Sequence, residues 1–196
     1  MRAWKWKWTE HGRVGAGRRG EAGHVELKLP RCTLRPWRVG DEASLAHHAN
    51  NRKVSRNLRD RFPFPYTAAD AADWISRASA QKPVTAFAIV VDGAAVGGVG
   101  IELGTDVFRR SAEIGYWLGE PFWGRGIATE VLRAATEYAF AQFDICRLEA
   151  GVFDWNPASA RVLEKAGYVL EGRARCAVLK DGRVGDRLLY GLVRPS

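Results

Sequence analysis

Tyr116-Trp117-Leu118-Gly119-Glu120-Pro121-Phe122-Trp123-Gly124-Arg125-Gly126-Ile127-Ala128-Thr129 is the stretch from which the rest of the chain can be placed. It opens apolar and aromatic, as a strand end does. A loop with Gly and Pro follows. Two glycines at alternate positions then open a segment with apolar residues at helical spacing: Ile127, Val131, Leu132, Ala135, Tyr138 and Ala139. A helix that starts this way leaves its first backbone N–H groups without intrahelical partners, at the positive end of its dipole. That end binds phosphate. The donors would be the amides of Arg125, Gly126, Ile127, Ala128 and Thr129, with the Thr129 hydroxyl and the Arg125 charge beside them. A Walker A loop needs GxxxxGK[ST], which is absent. A Rossmann fingerprint needs a third glycine where Thr129 stands, and a strand that opens a βαβ series.

Upstream, Cys32–Trp37 reads as a first strand. Asp41 is placed to cap a helix over Glu42–Ala49, and a short helix over Arg52–Asn57 follows. Arg59–Tyr66 is a Pro/aromatic loop. Thr67-Ala68-Ala69-Asp70 resembles a capping box, with Asp for Glu, and starts a helix to about Ala80. Thr85–Val91, the turn Asp92-Gly93 and Ala95–Leu103 form a hairpin, and Ser111–Leu118 is the next strand. Downstream of the glycines come a helix to Phe143, a strand over Arg147–Phe153, and a helix capped by Asn156 with Pro157 at its first position, stopped by Gly167. Two strands, Tyr168–Arg175 and Arg187–Val193, close the chain around Asp181-Gly182. Hairpins followed by strand–helix–strand–helix make a mixed α/β domain.

The 196 residues suffice for one domain with its own core, and a 46% hydrophobic content fits a globular chain. The expected division is a basic Trp/Gly/Arg-rich tail, residues 1–28, and a single domain over 29–196. The net charge is +8, and residues 1–29, with seven Lys/Arg and three Glu, hold half of it. Trp4-Lys5-Trp6-Lys7-Trp8 alternates as a nucleic-acid-stacking arm does, but the glycines between Gly12 and Gly23 favour a disordered extension. The N-terminus lacks the apolar run of a secretory signal, and no run approaches membrane-spanning length. Cys32, Cys146 and Cys176 are odd in number and widely spaced, as suits reduced thiols in a cytoplasmic protein. His47 and His48 are adjacent on a helix and point about 100° apart, a poor metal pair; no metal is expected.

In combination and order, Glu113-Ile114-Gly115-Tyr116-Trp117-Leu118, Phe122-Trp123-Gly124-Arg125-Gly126-Ile127-Ala128-Thr129-Glu130 and Asn156-Pro157-Ala158-Ser159-Ala160-Arg161-Val162-Leu163-Glu164-Lys165-Ala166-Gly167-Tyr168 resemble the GCN5-related N-acetyltransferase (GNAT) superfamily. The likeness is to its RimJ/RimL branch of ribosomal-protein N-terminal acetyltransferases, and it covers roughly Leu29–Val193. Trp123 stands where the family usually has Arg or Gln.

The resemblance implies a mixed, mostly antiparallel sheet, splayed at the acetyl-CoA site, with helices on both faces. It implies acetyl-CoA as donor, its pyrophosphate on the Arg125–Thr129 amides. The pantetheine arm would pair with the backbone of Trp117, Leu118 and Gly119 and accept a hydrogen bond from Asn156. It implies direct attack of an amine on the thioester, with Glu113 taking the amine proton, the Leu118 amide holding the oxyanion and Ser159 serving the departing thiolate. Many family members use a Tyr on the helix after the Asn; none lies between Asn156 and Gly167 here. Glu113 also reads as a salt-bridged strand residue, and Ser159 as an ordinary first-turn serine. Phe62, Phe64, Tyr66 and Trp74 are candidates for the acceptor wall, and Arg59 and Asp60 for contacts to a polar substrate.

The expected acceptor is the α-amino group of a protein or peptide, with ribosome association as a corollary. A small amine, or a non-catalytic acyl-CoA-binding or RNA-associated role, is the alternative. Monomer and homodimer both stay open.

Overall fold

The computed structural model describes residues 25–194. The chain runs β1 (Leu27–Lys28), β2 (Thr33–Pro36), α1 (Glu42–Ala49), α2 (Arg52–Ser55), α3 (Ala68–Ser79), β3 (Ala86–Val91), β4 (Ala94–Leu103), β5 (Ser111–Leu118), α4 (Ile127–Gln142), β6 (Arg147–Phe153), α5 (Pro157–Lys165), β7 (Val169–Lys180) and β8 (Arg183–Val193). The strands form one sheet in the order β1-β2-β3-β4-β5-β6-β8-β7. Every pair is antiparallel except β5–β6, which is parallel and joined by the crossover helix α4. Leu27 and Lys28, within the stretch read as tail, pair with Leu34 and Thr33, so the sheet begins upstream of Leu29. The tail over residues 1–24 lies outside the described residues.

Each face of the sheet is covered. Ile114 and Leu118 of β5 join Val131, Leu132 and Ala135 of α4 and Leu163 of α5 in one apolar layer. On the other face Ala86, Ala88 and Ala95 lie under Leu45 of α1 and Ala71 and Ile75 of α3, with Trp37 and Trp117 at the edge. Strand alternation therefore sends even-numbered β5 side chains toward α4–α5 and odd-numbered ones toward α1–α3. Burying each of these large apolar side chains contributes about 1.5–3 kcal/mol before the entropy of ordering is counted.

Local chemistry sets the ends. Thr67 and Asp70 make both bonds of a capping box on α3: the Asp70 amide donates to Thr67 Oγ1 at 3.2 Å, and the Thr67 amide to Asp70 Oδ2 at 2.8 Å. Asp41 does not cap α1. Its carboxylate is buried against Arg35 in two bonds of 2.7 Å and accepts the Arg38 amide at 3.1 Å. A bidentate guanidinium holds a buried carboxylate more strongly than helix amides do, which is why the expected cap is lost.

The last hairpin is longer than the expected strands Tyr168–Arg175 and Arg187–Val193. Its arms reach Lys180 and Arg183 across Asp181 and Gly182, both at positive φ (54° and 74°), as a two-residue hairpin turn requires. The register shifts between Ala174 and Val178, where Cys176 adopts φ 51° and its amide donates to Asp186 Oδ1 at 2.8 Å.

Candidate active site

The site is a consequence of one parting of strands. β5 and β6 are registered only over Ser111–Glu113 and Arg147–Glu149. Beyond Glu113 each follows its antiparallel neighbour, β5 staying with β4 to Leu118 and β6 with β8 to Phe153. A cleft of about 1130 Å³ opens between them, lined by Glu113–Leu118 on one side and Ala150–Phe153 on the other, with Asn156 and Ser159 at its α5 edge.

Which backbone groups face this cleft follows from the ladder. The Arg110 carbonyl accepts from Cys146, on the β6 side, and the Ser111 carbonyl accepts from Gly104, on the β4 side. At the far end the Gly119 amide donates to Val96 of β4 at 2.8 Å. Backbone direction alternates along a strand, so even-numbered residues face β6 and odd-numbered ones β4. The Ile114 amide closes the ladder on Glu149; beyond it, with β6 gone, Tyr116 and Leu118 present their N–H groups to the cleft. Trp117 and Gly119, expected to pair with the ligand, face β4 instead. Both backbone groups of Gly119 are used, since its carbonyl accepts from Phe122 at 3.0 Å. The Leu118 carbonyl accepts the Trp123 indole N–H at 2.7 Å and its amide points into the cleft, where the oxyanion reading needs it.

The glycine turn lies at the cleft's end. Gly124 and Gly126 have φ of 75° and 79°, conformations that cost L side chains energy, and Gly126 is the N-terminal cap of the 16-residue α4. The amides of Arg125, Gly126, Ile127 and Ala128 donate to no carbonyl among the described residues. The Thr129 amide differs, donating to the Gly126 carbonyl at 3.1 Å. The Arg125 guanidinium turns away over the Phe122 ring, 5.3 Å from its centre. Arg31 supplies the nearby charge that local sequence did not reveal. Its guanidinium comes within 3.9 Å of where a side chain at Gly126 would begin, and it pairs with Glu130.

On the α5 side, Asn156 caps the helix and its Oδ1 accepts the Ser159 amide at 3.3 Å, which leaves its Nδ2 without a protein partner among the described residues. The Ser159 hydroxyl lies 2.9 Å from the phenol oxygen of Tyr116, which also reaches the Ser159 carbonyl at 3.2 Å. Burial pushes the Tyr116 phenol up to about 12, against the smaller opposing effect of the Ser159 bond. No motif reading singled out Tyr116, because its partner is 43 residues away.

On the α1–α3 side, Glu113 is ion-paired twice. Arg59 reaches it from the Pro/aromatic loop, and Arg187 Nη2 reaches it from β8 at 3.3 Å. Arg187 crosses β6 over Gly151, where a Cβ would collide with its guanidinium. Glu102, directly opposite Glu113 in the β4–β5 register, is held by Arg61 at 3.0 Å. The two like charges are thus neutralised by arginines from the loop. Asp60 instead pairs with Lys180 at 2.6 Å and ties the loop to the β7–β8 hairpin. Phe62, Tyr66 and Trp74 line the cleft, whereas Phe64 lies outside it under Arg52. The His48 ring packs on Phe122, 5.5 Å between centroids, where burial and the charge of His47 lower its pKa. Among the described residues no group of three or more His, Cys, Asp or Glu is gathered as a metal would need, and no helix is long and apolar enough to cross a membrane.

Comparisons with known proteins agree with this geometry. Residues 31–169 match the family described as acetyltransferase (GNAT) domain. The chain is 28% identical over 174 residues to the uncharacterized N-acetyltransferase p20 of Bacillus licheniformis, covering 86% of this chain and 96% of that protein. It is 31% identical over 101 residues to the [ribosomal protein uS5]-alanine N-acetyltransferase of Escherichia coli, 50% of this chain and 52% of that one. With several of the curated relatives it matches, the chain aligns over about half their length. Among solved structures, Mycobacterium smegmatis RimJ in complex with CoA-disulfide superposes with a TM-score of 0.73 at 27% identity, covering 87% of this chain and 86% of that one. RimL, a ribosomal L7/L12 α-N-protein acetyltransferase solved with coenzyme A, superposes at 0.75 with 22% identity, covering 87% and 98%.

Proposed function

We propose, for a chain that belongs to the GNAT acetyltransferase family and uses acetyl-CoA, that the acceptor is the α-amino group of a protein or peptide. The observation that carries the donor half is the β5–β6 splay. It exposes the Tyr116 and Leu118 amides in the cleft that also reaches the unpaired amides of the Arg125–Ala128 turn. An extended ligand with amide groups at one end and a pyrophosphate at the other matches that order. Asn156 Nδ2 is free to donate to the same arm. Arg31 adds a cation at the phosphate end, and Thr129 its hydroxyl.

The chemistry follows from charge development. A neutral amine attacks the thioester carbonyl, and the Leu118 N–H is aimed at the oxygen on which negative charge grows. The C–S bond then breaks. The Ser159 hydroxyl, held by Tyr116, donates a hydrogen bond to the leaving sulfur. On the opposite face Glu113 meets the incoming amine and receives its proton, directly or through a water. Its two arginine pairs mean that the amine must share this carboxylate with Arg59 and Arg187. They also agree with the salt-bridge reading of Glu113.

The acceptor reading is supported by the ribosomal-protein acetyltransferases among the relatives and by the extension of the cleft to Arg59, Arg61, Phe62 and Tyr66 of the loop. It places the protein's work in the cytoplasm and at the ribosome or its free subunit proteins. Thiol release from acetyl-CoA, measured with peptides of varied N-terminus and with small amines in parallel, tests it. Turnover of peptides above that of amino acids and simple amines supports it. Small amines turned over in preference contradict it. CoA binding without turnover of any amine overturns the catalytic reading.

A further inference from the structure

Beside the cleft lies a second hollow, of about 260 Å³, lined by Arg52, Arg56, Trp155, Lys180, Asp181 and Arg183. Four cations and one carboxylate from two chain segments, 52–56 and 180–183, meet there around Trp155. Arg52 is paired with Asp181 at 2.8 Å, and Lys180, whose side chain is 8% exposed, is paired with Asp60. Arg56 and Arg183 have no carboxylate partner among the described residues.

Trp155 touches both segments. Its indole N–H donates to the Arg56 carbonyl at 3.3 Å, and the Arg183 guanidinium lies 4.9 Å above its ring. The hollow adjoins the cleft through neighbouring residues. Asn57, next to Arg56, and Phe153, whose ring packs 5.1 Å from that of Trp155, both line the cleft. Asp60 stands between the two arginines that hold Glu113 and Glu102.

We infer that this hollow takes a carboxylate side chain of the acceptor polypeptide, a few residues downstream of the amine being acetylated. The inference rests on the peptide-acceptor reading above and narrows its substrate class to acidic N-terminal segments. Two guanidiniums without carboxylate partners, that of Arg183 held on the Trp155 ring, suit a carboxylate, which a guanidinium can grip bidentately. An RNA track is less well served. It needs a run of unpaired cations and an open aromatic face. Here half the cations are neutralised by Asp60 and Asp181, and the Trp155 ring is covered by Arg183 and flanked by Phe153.

The experiment is steady-state acetylation of a peptide set by the full chain, with one Asp moved along the sequence after a constant N-terminal residue and Asn controls. KM falls roughly tenfold for Asp at one or two adjacent positions and nowhere else, the scale of two partly exposed charge contacts. Arg56→Glu with Arg183→Glu abolishes that gain while leaving kcat on the neutral peptide unchanged, and a Lys at the same position restores it. The milder pair Arg56→Gln and Arg183→Gln, with its melting temperature measured, guards against misfolding. Equal KM across the peptide set overturns the inference and leaves the peptide reading intact. So does loss of binding to a single-stranded RNA probe in the double variant with peptide KM untouched. Failure of every peptide while a small amine is acetylated removes the peptide reading, and this inference with it.

Discussion

Tyr116 brings a phenol to the first turn of α5, where the Ser159 hydroxyl and carbonyl both face it. The family's usual tyrosine is absent from that helix, and a strand residue fills the space from the other side of the cleft. Ser159 and Asn156 were legible because cap, proline and serine are consecutive; Tyr116 was not, because contact across 43 residues has no local signature. Glu113 was legible as a candidate, but its two arginines come from positions 59 and 187. Glu113→Gln should lower turnover most at low pH, where little of the amine is neutral, and a pH-independent loss would move the base elsewhere. Burial raises the Cys32 thiol from 9.0 to about 11 and the Tyr116 phenol from 10.0 to about 12. Both folded values lie above the unfolded ones, so the stability they contribute is complete below about pH 9 and is lost as pH rises toward 12. Chemical denaturation at stepped pH should show that decline. At pH 8 a thiol reagent should label Cys146 and Cys176, which are exposed, and reach Cys32 only on unfolding.

At the scale of elements, helices with explicit ends were the most readable. Thr67→Ala removes one of two reciprocal cap bonds from α3 and should cost about 1 kcal/mol, seen as a lower urea midpoint at constant slope. The β7–β8 hairpin is longer than its sequence reading, because residues 176–186 are mostly exposed and their pairing rests on a turn and a bulge. The glycine turn was read correctly as a helix entry, but which amides remain free depends on bonds within it, and Thr129 proved engaged. Gly126→Glu should abolish CoA binding by calorimetry. It places a carboxylate at the phosphate cradle and a side chain at φ 79°. A binding constant within a few fold of the unsubstituted chain would move the phosphate elsewhere.

For the whole molecule, the splay is a property of the sheet and of no single strand. β5 leaves β6 because β4 holds it to Leu118, while β8 holds β6 to Phe153. The motifs indicated that a ligand lies there; the direction of each amide needed the register of four strands. That is why Trp117 and Gly119 are expected at the ligand from sequence and Tyr116 is not. Residue-resolved amide hydrogen exchange with and without CoA tests this most directly. The amides of Tyr116, Leu118 and Arg125–Ala128 should gain protection on binding, while Trp117 and Gly119, already bonded to β4, should not change. Protection confined to Trp117 and Gly119, or CoA binding that leaves the cleft amides exchanging as before, would contradict the account.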